Sequence, residues 1–430
     1  MIDDSGKFIV QGGVPLRGEV GLQGAKNAAL PMLAASLLTE ESICLSNVPL
    51  LADTRDLGKF LKLLGVKIGR RGGEVTLNAG AVHTTTIPVG FHNTTRHSLL
   101  TLGPLLARFG EAEISFPAGC LIGNRRFDLH ITGLKMMGAK FDDTPRGIKA
   151  RAGRLRGINF TFYYPTFSGT LNLVFAAALA SGETVLENAA INPEVTDTLR
   201  LLVKMGVSIS GIGGRTLRIT GRDRLQGARY RVMSDRIELF SLIAAAAITG
   251  GRVFIRGGDL KLISAEVKTL EKIGVVMELS AEGVLVSIPH PLRSIDLRTA
   301  AYPGFHTDNQ PLLAALLTRA AGVSRIEETI LDRRFAYIPD LVRMGGSIKV
   351  VPGNFKCVNG MPGQAAIIKG GGKLRGAEVA AGDIRGGAAL LITALTAPDV
   401  SRISNRYQIE RGYQDWDKKL NSLGGRITRE

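Results

Sequence analysis

Two kinds of apolar stretch alternate along this chain, separated by glycine-rich turns. The first kind is amphipathic. From Pro193 to Met205, the residues Val195, Leu199, Leu202 and Met205 recur at helical spacing and form one face. Asn192 stands where a cap is needed, Pro193 suits the first turn, and Gly206 supplies a left-handed stop. Near the end of the sequence Tyr413, Trp416, Leu420 and Leu423 share a face in the same way before Gly424. The second kind has no polar face. Leu173 to Ala180 is followed by Gly182-Glu183-Thr184-Val185, and Leu242 to Ile248 by Gly250-Gly251-Arg252-Val253-Phe254. Each predicts a helix buried on all sides, then a turn and a β-branched strand.

One phrase recurs where the amphipathic helices end: an apolar residue, Gly, a small residue, then a strand-like apolar residue. The copies are Leu64-Gly65-Val66-Lys67-Ile68, Met137-Gly138-Ala139-Lys140-Phe141, Met205-Gly206-Val207-Ser208-Ile209, Ile273-Gly274-Val275-Val276-Met277, Met344-Gly345-Gly346-Ser347-Ile348 and Leu423-Gly424-Gly425-Arg426-Ile427. They lie about 70 residues apart, long enough for a complete α/β unit. Six units with one buried helix each predict an α/β protein of two domains, three units apiece, with apolar helices inside and strands outside. The division falls near Arg229 to Arg236. A length of 430 residues independently suggests two or three domains.

Composition narrows the class. Hydrophobic residues make up 45%, charged residues 21%, and there are 53 glycines, a globular rather than a disordered balance. The longest apolar runs reach about half of the roughly 20 residues that a membrane-spanning helix needs. An N-terminus without a basic start or an apolar run places the protein in the cytoplasm. Three cysteines, Cys44, Cys120 and Cys357, are too few and too scattered for a disulfide framework or a zinc site. The 54 Lys and Arg exceed the 38 Asp and Glu by 16, which points to an anionic partner. The basic groups are short, as in Arg70-Arg71, Arg125-Arg126 and Arg333-Arg334, and no nucleic-acid motif accompanies them.

Candidate chemistry is dispersed. Cys120 lies in a loop punctuated by Pro and Gly, beside arginines that favour its thiolate; an incidental loop thiol and a reactive one fit equally well. Cys44 reads as structural, in a strand-like run, and Cys357 has no charged neighbour in sequence beyond Lys356. Lys26 opens a helix after a glycine-led turn, a plausible anion site, although most such turns are merely solvated. Arg334 and Arg411 precede the amphipathic helices of the fifth and sixth units, and Arg385 follows Gly382-Asp383-Ile384. A lone arginine is more often a surface charge, but several at equivalent unit ends can converge on one multiply charged substrate. Asp308 stands at a helix start, where it can be an N-cap, a general base, or both. His306 and His130 read as loop or capping residues.

These residues resemble the UDP-N-acetylglucosamine enolpyruvyl (1-carboxyvinyl) transferases over nearly the whole chain. The specific segments are Gly24-Ala-Lys-Asn-Ala-Ala-Leu-Pro31, Gly103-Pro-Leu-Leu-Ala-Arg-Phe-Gly110, Gly119-Cys-Leu-Ile-Gly123 with Asp128-Leu-His130, Asn188-Ala-Ala190 with Pro193-Glu194, Asp235-Arg-Ile-Glu238, Thr307-Asp-Asn-Gln310 and Glu410-Arg-Gly-Tyr413. The resemblance implies a pair of inside-out α/β domains, residues 25–232 and residues 1–24 with 233–430, and an active site in the cleft between them. It implies that the enolpyruvyl group of phosphoenolpyruvate passes to a uridine-nucleotide acceptor, with no metal and no organic cofactor. In that scheme Asp308 takes the acceptor's hydroxyl proton and Cys120 protonates the methylene carbon. Lys26, Arg125, Arg334, Arg385 and Arg411 hold phosphate and carboxylate, supported by Arg96; Lys26 and Arg411 also count as catalytic. Asp383 is a charge partner in that cluster. Asn27, Arg125, Arg126, Asp128, Tyr164, Thr166, Ser168 and Asp308 face the acceptor. The chemistry needs such a set, because addition gives C2 of phosphoenolpyruvate cationic character and elimination expels phosphate. Guanidinium forks match both anions.

Departures from the family pattern cluster on the acceptor side. Arg126-Phe127 replaces Pro-Val, Tyr164 replaces a lysine, Leu100 a tryptophan, and Glu238-Leu-Phe-Ser241 stands where Glu-Thr-Gly-Thr is usual. Two acceptors therefore stay open: the 3-hydroxyl of UDP-N-acetylglucosamine, at the entry to peptidoglycan synthesis, and UMP or another nucleotide in natural-product synthesis, with Arg126 meeting its terminal phosphate. A basic nucleic-acid-binding repeat protein and a shikimate-pathway enzyme are the remote alternatives. The cysteine loop speaks against the second. The resemblance predicts that the epoxide fosfomycin alkylates Cys120. Peptide mass spectrometry after incubation checks this, and an active enzyme that leaves Cys120 unmodified contradicts it.

Overall fold

A computed structural model describes residues 6–86, 96–115, 127–144 and 147–430. Helices come in pairs along the chain: α1 (Lys26–Ala35) and α2 (Ala52–Leu63), α3 (Leu102–Phe109) and α4 (Asp128–Met136), α5 (Phe167–Ala178) and α6 (Pro193–Lys204). Then come α7 (Arg236–Ile248) and α8 (Ser264–Ile273), α9 (Gln310–Leu317) and α10 (Ile338–Arg343), and α11 (Ile384–Ala394) followed by the short α12 (Arg406–Glu410) and α13 (Trp416–Ser422). The first of each pair is the apolar helix expected from sequence. All of α7, α9 and α11 is buried, and α1 and α5 nearly so.

The second of each pair is amphipathic and ends as the recurring phrase predicts. Gly65, Gly138, Gly206, Gly274, Gly345 and Gly424 all have positive φ, from +92° to +106°. In every copy the residue after the glycine donates its N–H five residues back, as Val66 does to Leu61 and Val207 to Leu202, and the glycine donates three back. This double closure satisfies carbonyls that the helix end leaves open. At the other end of α6, Asn192 holds the N-cap position, but its side chain makes no capping bond. Its main-chain carbonyl accepts from Val195 and Thr196, and Pro193 sets the first turn. Tyr413 precedes α13 rather than sharing its face, and its ring lies buried 4.4 Å from that of Trp416.

The apolar helices α5, α9 and α11 each connect two parallel strands of one small sheet, which antiparallel strands then extend. Asn159–Thr161 leads into α5 and runs parallel to Glu183–Glu187, beyond which lie Leu217–Thr220 and Ser208–Ser210. The first, fourth and sixth sheets are completed by strands distant in sequence. Ala228–Arg231 pairs with Ser42–Ser46. Arg17–Gly21 pairs with Arg252–Arg256, and Lys7–Gln11 lies between Val400–Ser404 and Ile427–Arg429. An asparagine in the left-handed region follows three of the parallel strands: Asn47, Asn188 and Asn405 donate their amides to Val232, Phe162 and Ala381, respectively. Cys44 is a half-buried strand residue whose sulfur accepts from Thr76.

Among the described residues two compact units result. One comprises residues 6–23 and Ser234–Glu430; the other begins at Gly24 and ends at Met233. Each has its own apolar core, built of the inner helices and the inward faces of the sheets.

The glycine stops give a paired test. Gly206 has φ +97° and open space around its missing Cβ, whereas Gly58 sits within α2, also in open space. Gly206→Ala should lower stability by about 1–2 kcal/mol through backbone strain alone, and Gly58→Ala should raise it by about 0.5–1 kcal/mol through helix propensity. The two shifts of the urea midpoint should have opposite signs.

Candidate active site

In the Ser234–Glu430 unit the candidate residues converge on one carboxylate. Asp308 lies two residues before α9, on the turn that follows the cis Tyr302–Pro303 bond. It is not the N-cap, a position that Asn309 holds. Its two oxygens face different cations: Oδ1 lies 3.5 Å from Nη2 of Arg334, and Oδ2 lies 3.4 Å from Nε of Arg385. Arg334 is 1% exposed; its Nη1 reaches Asp383 at 3.1 Å and its Nε donates to the Thr307 carbonyl. Asp383 caps α11, accepting from the N–H groups of Arg385 and Gly386. The capping carboxylate thus fixes Arg385 by its backbone and Arg334 by its side chain.

Burial pulls the guanidinium of Arg334 down, but the carboxylates of Asp383, Asp308 and Glu328 more than offset this, and its pKa rises. Burial opposes Arg385 as well, and there Tyr413, Asp308 and Asp235 outweigh it. Both arginines are therefore charged in spite of being dry. The guanidinium of Arg385 lies 5.0 Å from the centre of the Tyr413 ring, and the hydroxyl of that ring is 2.8 Å from Oγ of Ser241 on α7. Nη1 of Arg385 is buried and finds no hydrogen-bonding partner among the described residues. Such an atom is well placed to meet an anion.

His306 is not a capping residue. Its Nδ1 accepts the backbone N–H of Asp308, and burial, with Arg236, Arg385 and Arg334 close by, pushes its pKa down to about 3. The imidazole is neutral and shapes the turn that presents Asp308. Glu266 supports the same turn, accepting from the His306 N–H and the Asn309 amide. Arg411 follows α12, half-buried, with Nη1 bonded to Gln408. The next residues are held by Gln23, whose amide donates to Gly412 and accepts from the Gln414 N–H.

The Gly24–Met233 unit holds the other set. Lys26 is the first residue of α1, 6% exposed, and its ammonium bonds Asp53 in the first turn of α2 at 3.1 Å. His97 reaches the same carboxylate. Asn27 is half-buried beside Lys26. Thr166 caps α5 by accepting from Gly169, and Asp128 opens α4 and accepts from the Tyr163 hydroxyl, while Tyr164 is half-buried next to it. His130 is a buried residue of α4, not a loop residue. Its Nδ1 meets the Asn172 amide, which can only donate, so Nε2 carries the proton toward Ser168. That tautomer makes the Ser168–His130–Asn172 chain a structural link between α4 and α5 rather than a nucleophile's relay. Cys120, Arg125 and Arg126 lie outside the described residues, as does the side chain of Arg96.

Several departures fall in the core. Leu100 and Leu239 are buried, and Glu238 accepts from the Gln23 N–H and from Lys419 at 2.6 Å. Burial raises the pKa of Glu238 despite Lys419. Cys357 has acidic neighbours that the sequence hides: burial, with Glu328 and Asp332, pushes its thiol up to about 11. Asp53, His97 and the ring of Tyr413 are further site residues that sequence reasoning missed. The available signal was a carboxylate, Asp53, directly after the apolar run Leu50-Leu51-Ala52.

Comparison with known proteins places this chain among the enolpyruvyl transferases. The structure of the enolpyruvyl transferase NikO from Streptomyces tendae matches with a TM-score of 0.86 at 24% identity, covering 99% of both chains. An EPSP synthase from Acinetobacter baumannii matches with 0.74 at 17% identity, covering 99% of this chain and all of that one. The family model described as EPSP synthase (3-phosphoshikimate 1-carboxyvinyltransferase) spans residues 10–420. A UDP-N-acetylglucosamine 1-carboxyvinyltransferase of Nitratidesulfovibrio vulgaris is 42% identical over 424 residues, covering 98% of this chain and 99% of that protein. One from Koribacter versatilis is 42% identical over 427 residues, with 98% and 96% covered. The chain belongs to the EPSP synthase family and, within it, to the UDP-N-acetylglucosamine 1-carboxyvinyltransferases.

The depressed pKa of His306 sets a sign for stability against pH. Above about 6.5 the imidazole is neutral whether the chain is folded or not; below it the unfolded chain binds a proton that the folded one refuses until about pH 3. Stability is therefore lost as pH falls through that window, by at most about 1.4 kcal/mol per pH unit. His306→Asn, which keeps an acceptor for the Asp308 N–H, should flatten this decline in urea titrations between pH 6.5 and about 4.

Proposed function

We propose that the protein transfers the enolpyruvyl group of phosphoenolpyruvate to the 3-hydroxyl of UDP-N-acetylglucosamine, releasing phosphate. The observation that carries this reading is full-length identity above 40% to proteins named for that activity. Of the acceptor-side departures, Leu100 and Leu239 are core residues, so substitution there alters packing and not a contact with the acceptor. The arrangement around Asp308 agrees with a general base. Its side chain is a quarter exposed, and two buried arginines fix the direction of its oxygens.

In this scheme the acceptor oxygen adds to C2 of phosphoenolpyruvate while its proton passes to Asp308 and the methylene carbon takes a proton from Cys120. The bond from C2 to the phosphate oxygen then breaks with loss of a methyl proton, leaving an enolpyruvyl ether and inorganic phosphate. Lys26, Arg125, Arg334, Arg385 and Arg411 hold the phosphate and carboxylate, with Arg96 in support. The unpartnered Nη1 of Arg385 suits an oxygen of that substrate. Asn27, Asp128, Tyr164, Thr166 and Ser168 serve the acceptor, together with Arg125 and Arg126. Neither nucleic acid nor a membrane has a part. No helix among the described residues is long and apolar enough to cross a membrane.

The test is phosphate release from phosphoenolpyruvate with UDP-N-acetylglucosamine, UDP-glucose, UMP and uridine offered separately. Release with UDP-N-acetylglucosamine well above the others is expected, and release with UMP alone would overturn the acceptor assignment. Asp308→Ala should cut turnover by roughly 10²–10⁴-fold, the usual worth of a general base. Near-normal turnover would remove Asp308 from that role.

A further inference from the structure

Three elements of the Gly24–Met233 unit meet at a single oxygen. The ammonium of Lys26, from the first turn of α1, and Nε2 of His97, from the 3-10 turn Arg96–Thr101, each lie 3.1 Å from Oδ2 of Asp53 on α2. The side chain of Asp53 is 1% exposed, that of Lys26 7% and that of His97 23%. A buried carboxylate of this kind needs its cation, and Lys26 supplies it. The last torsion of an aspartate is broad and two-fold. A second donor arriving on the same oxygen from a separate element removes that freedom.

We propose that His97 is a positioning residue for Lys26: by bonding Oδ2 of Asp53 it fixes the carboxylate, and through it the direction in which the ammonium meets the anionic substrate. Imidazole suits this task. A carboxylate only accepts, so the ring meets it with Nε2 protonated and donating. A lysine or arginine at residue 97 would compete with Lys26 for the carboxylate, and an aliphatic side chain would remove this donor. The site differs from the Ser168–His130–Asn172 chain, whose imidazole meets the Asn172 amide and Oγ of Ser168 and links two helices. This inference rests on the assignment of Lys26 to phosphoenolpyruvate made above.

Steady-state phosphate release with phosphoenolpyruvate and UDP-N-acetylglucosamine, measured for Lys26→Ala, His97→Ala and His97→Gln, separates the two. His97→Ala should raise KM for phosphoenolpyruvate about tenfold and leave KM for the acceptor within about twofold. His97→Gln, which returns an N–H to Asp53, should recover most of the loss. Lys26→Ala should be far more impaired toward phosphoenolpyruvate than either. Wild-type KM in His97→Ala beside a crippled Lys26→Ala would overturn the positioning role and leave Lys26 in place. Normal kinetics in Lys26→Ala would bring down both. Equal losses toward both substrates, unrelieved by glutamine, would mark His97 as a packing residue and overturn the proposal as well.

Discussion

The architecture depends on burying helices on every side. A helix such as α7, with all of its residues inside, cannot carry a polar group along its length unless that group is bonded, so chemistry is driven to its ends. The N-terminal turns are where N–H groups lack intrahelical partners and the peptide dipoles favour anions. Polar side chains sit there in unit after unit: Lys26 and Asn27 on α1, His97 just before α3, Thr166 and Ser168 at the start of α5, Asp235 and Arg236 at the start of α7, Asp308 before α9, and Asp383 with Arg385 at the start of α11. A repeat selected for a dry core thereby offers six equivalent positions for polar side chains.

Within the Ser234–Glu430 unit those positions interact. Arg334 is nearly inaccessible, and it is tolerable there because Asp308, Asp383 and a backbone carbonyl all accept from it. Breaking such a set by removing one member typically costs about 3–5 kcal/mol, because the remaining charge is stranded. The same carboxylate that offsets the arginine also caps α11. The placing of the arginines and the helix start are therefore one structure, and a substitution at Asp383 cannot disturb one without the other.

Local grammar was legible in the sequence. Helix stops at Gly65 through Gly424, the all-apolar helices and the number of repeats follow from spacing and from the conformational freedom of glycine. Roles that depend on distant partners were not. Asp308 read equally as a cap or a general base, because its sequence neighbours are those of a helix start; its arginines lie 26 and 77 residues away. Cys357 seemed to lack charged neighbours for the same reason, since Glu328 and Asp332 reach it through the fold. His130 and His306 look like loop residues in the chain, and only burial with specific donors shows that both are neutral and structural. Motifs shared with the family located the arginines, and neither motif nor periodicity pointed to His97.

The closing strands tie the order of synthesis to the order of folding. Ser42–Ser46 lacks its parallel neighbour until Ala228–Arg231 has been made, after which the Gly24–Met233 unit can complete itself. The strand Lys7–Gln11, by contrast, has to wait for Val400–Ser404 and Ile427–Arg429. A ribosome making this chain therefore leaves Lys7–Gln11 unpaired until Val400–Ser404 has been made, while the unit encoded in between can fold ahead of it. Such long-range pairing is slow to form, and an unpaired apolar edge invites association with other chains until it closes.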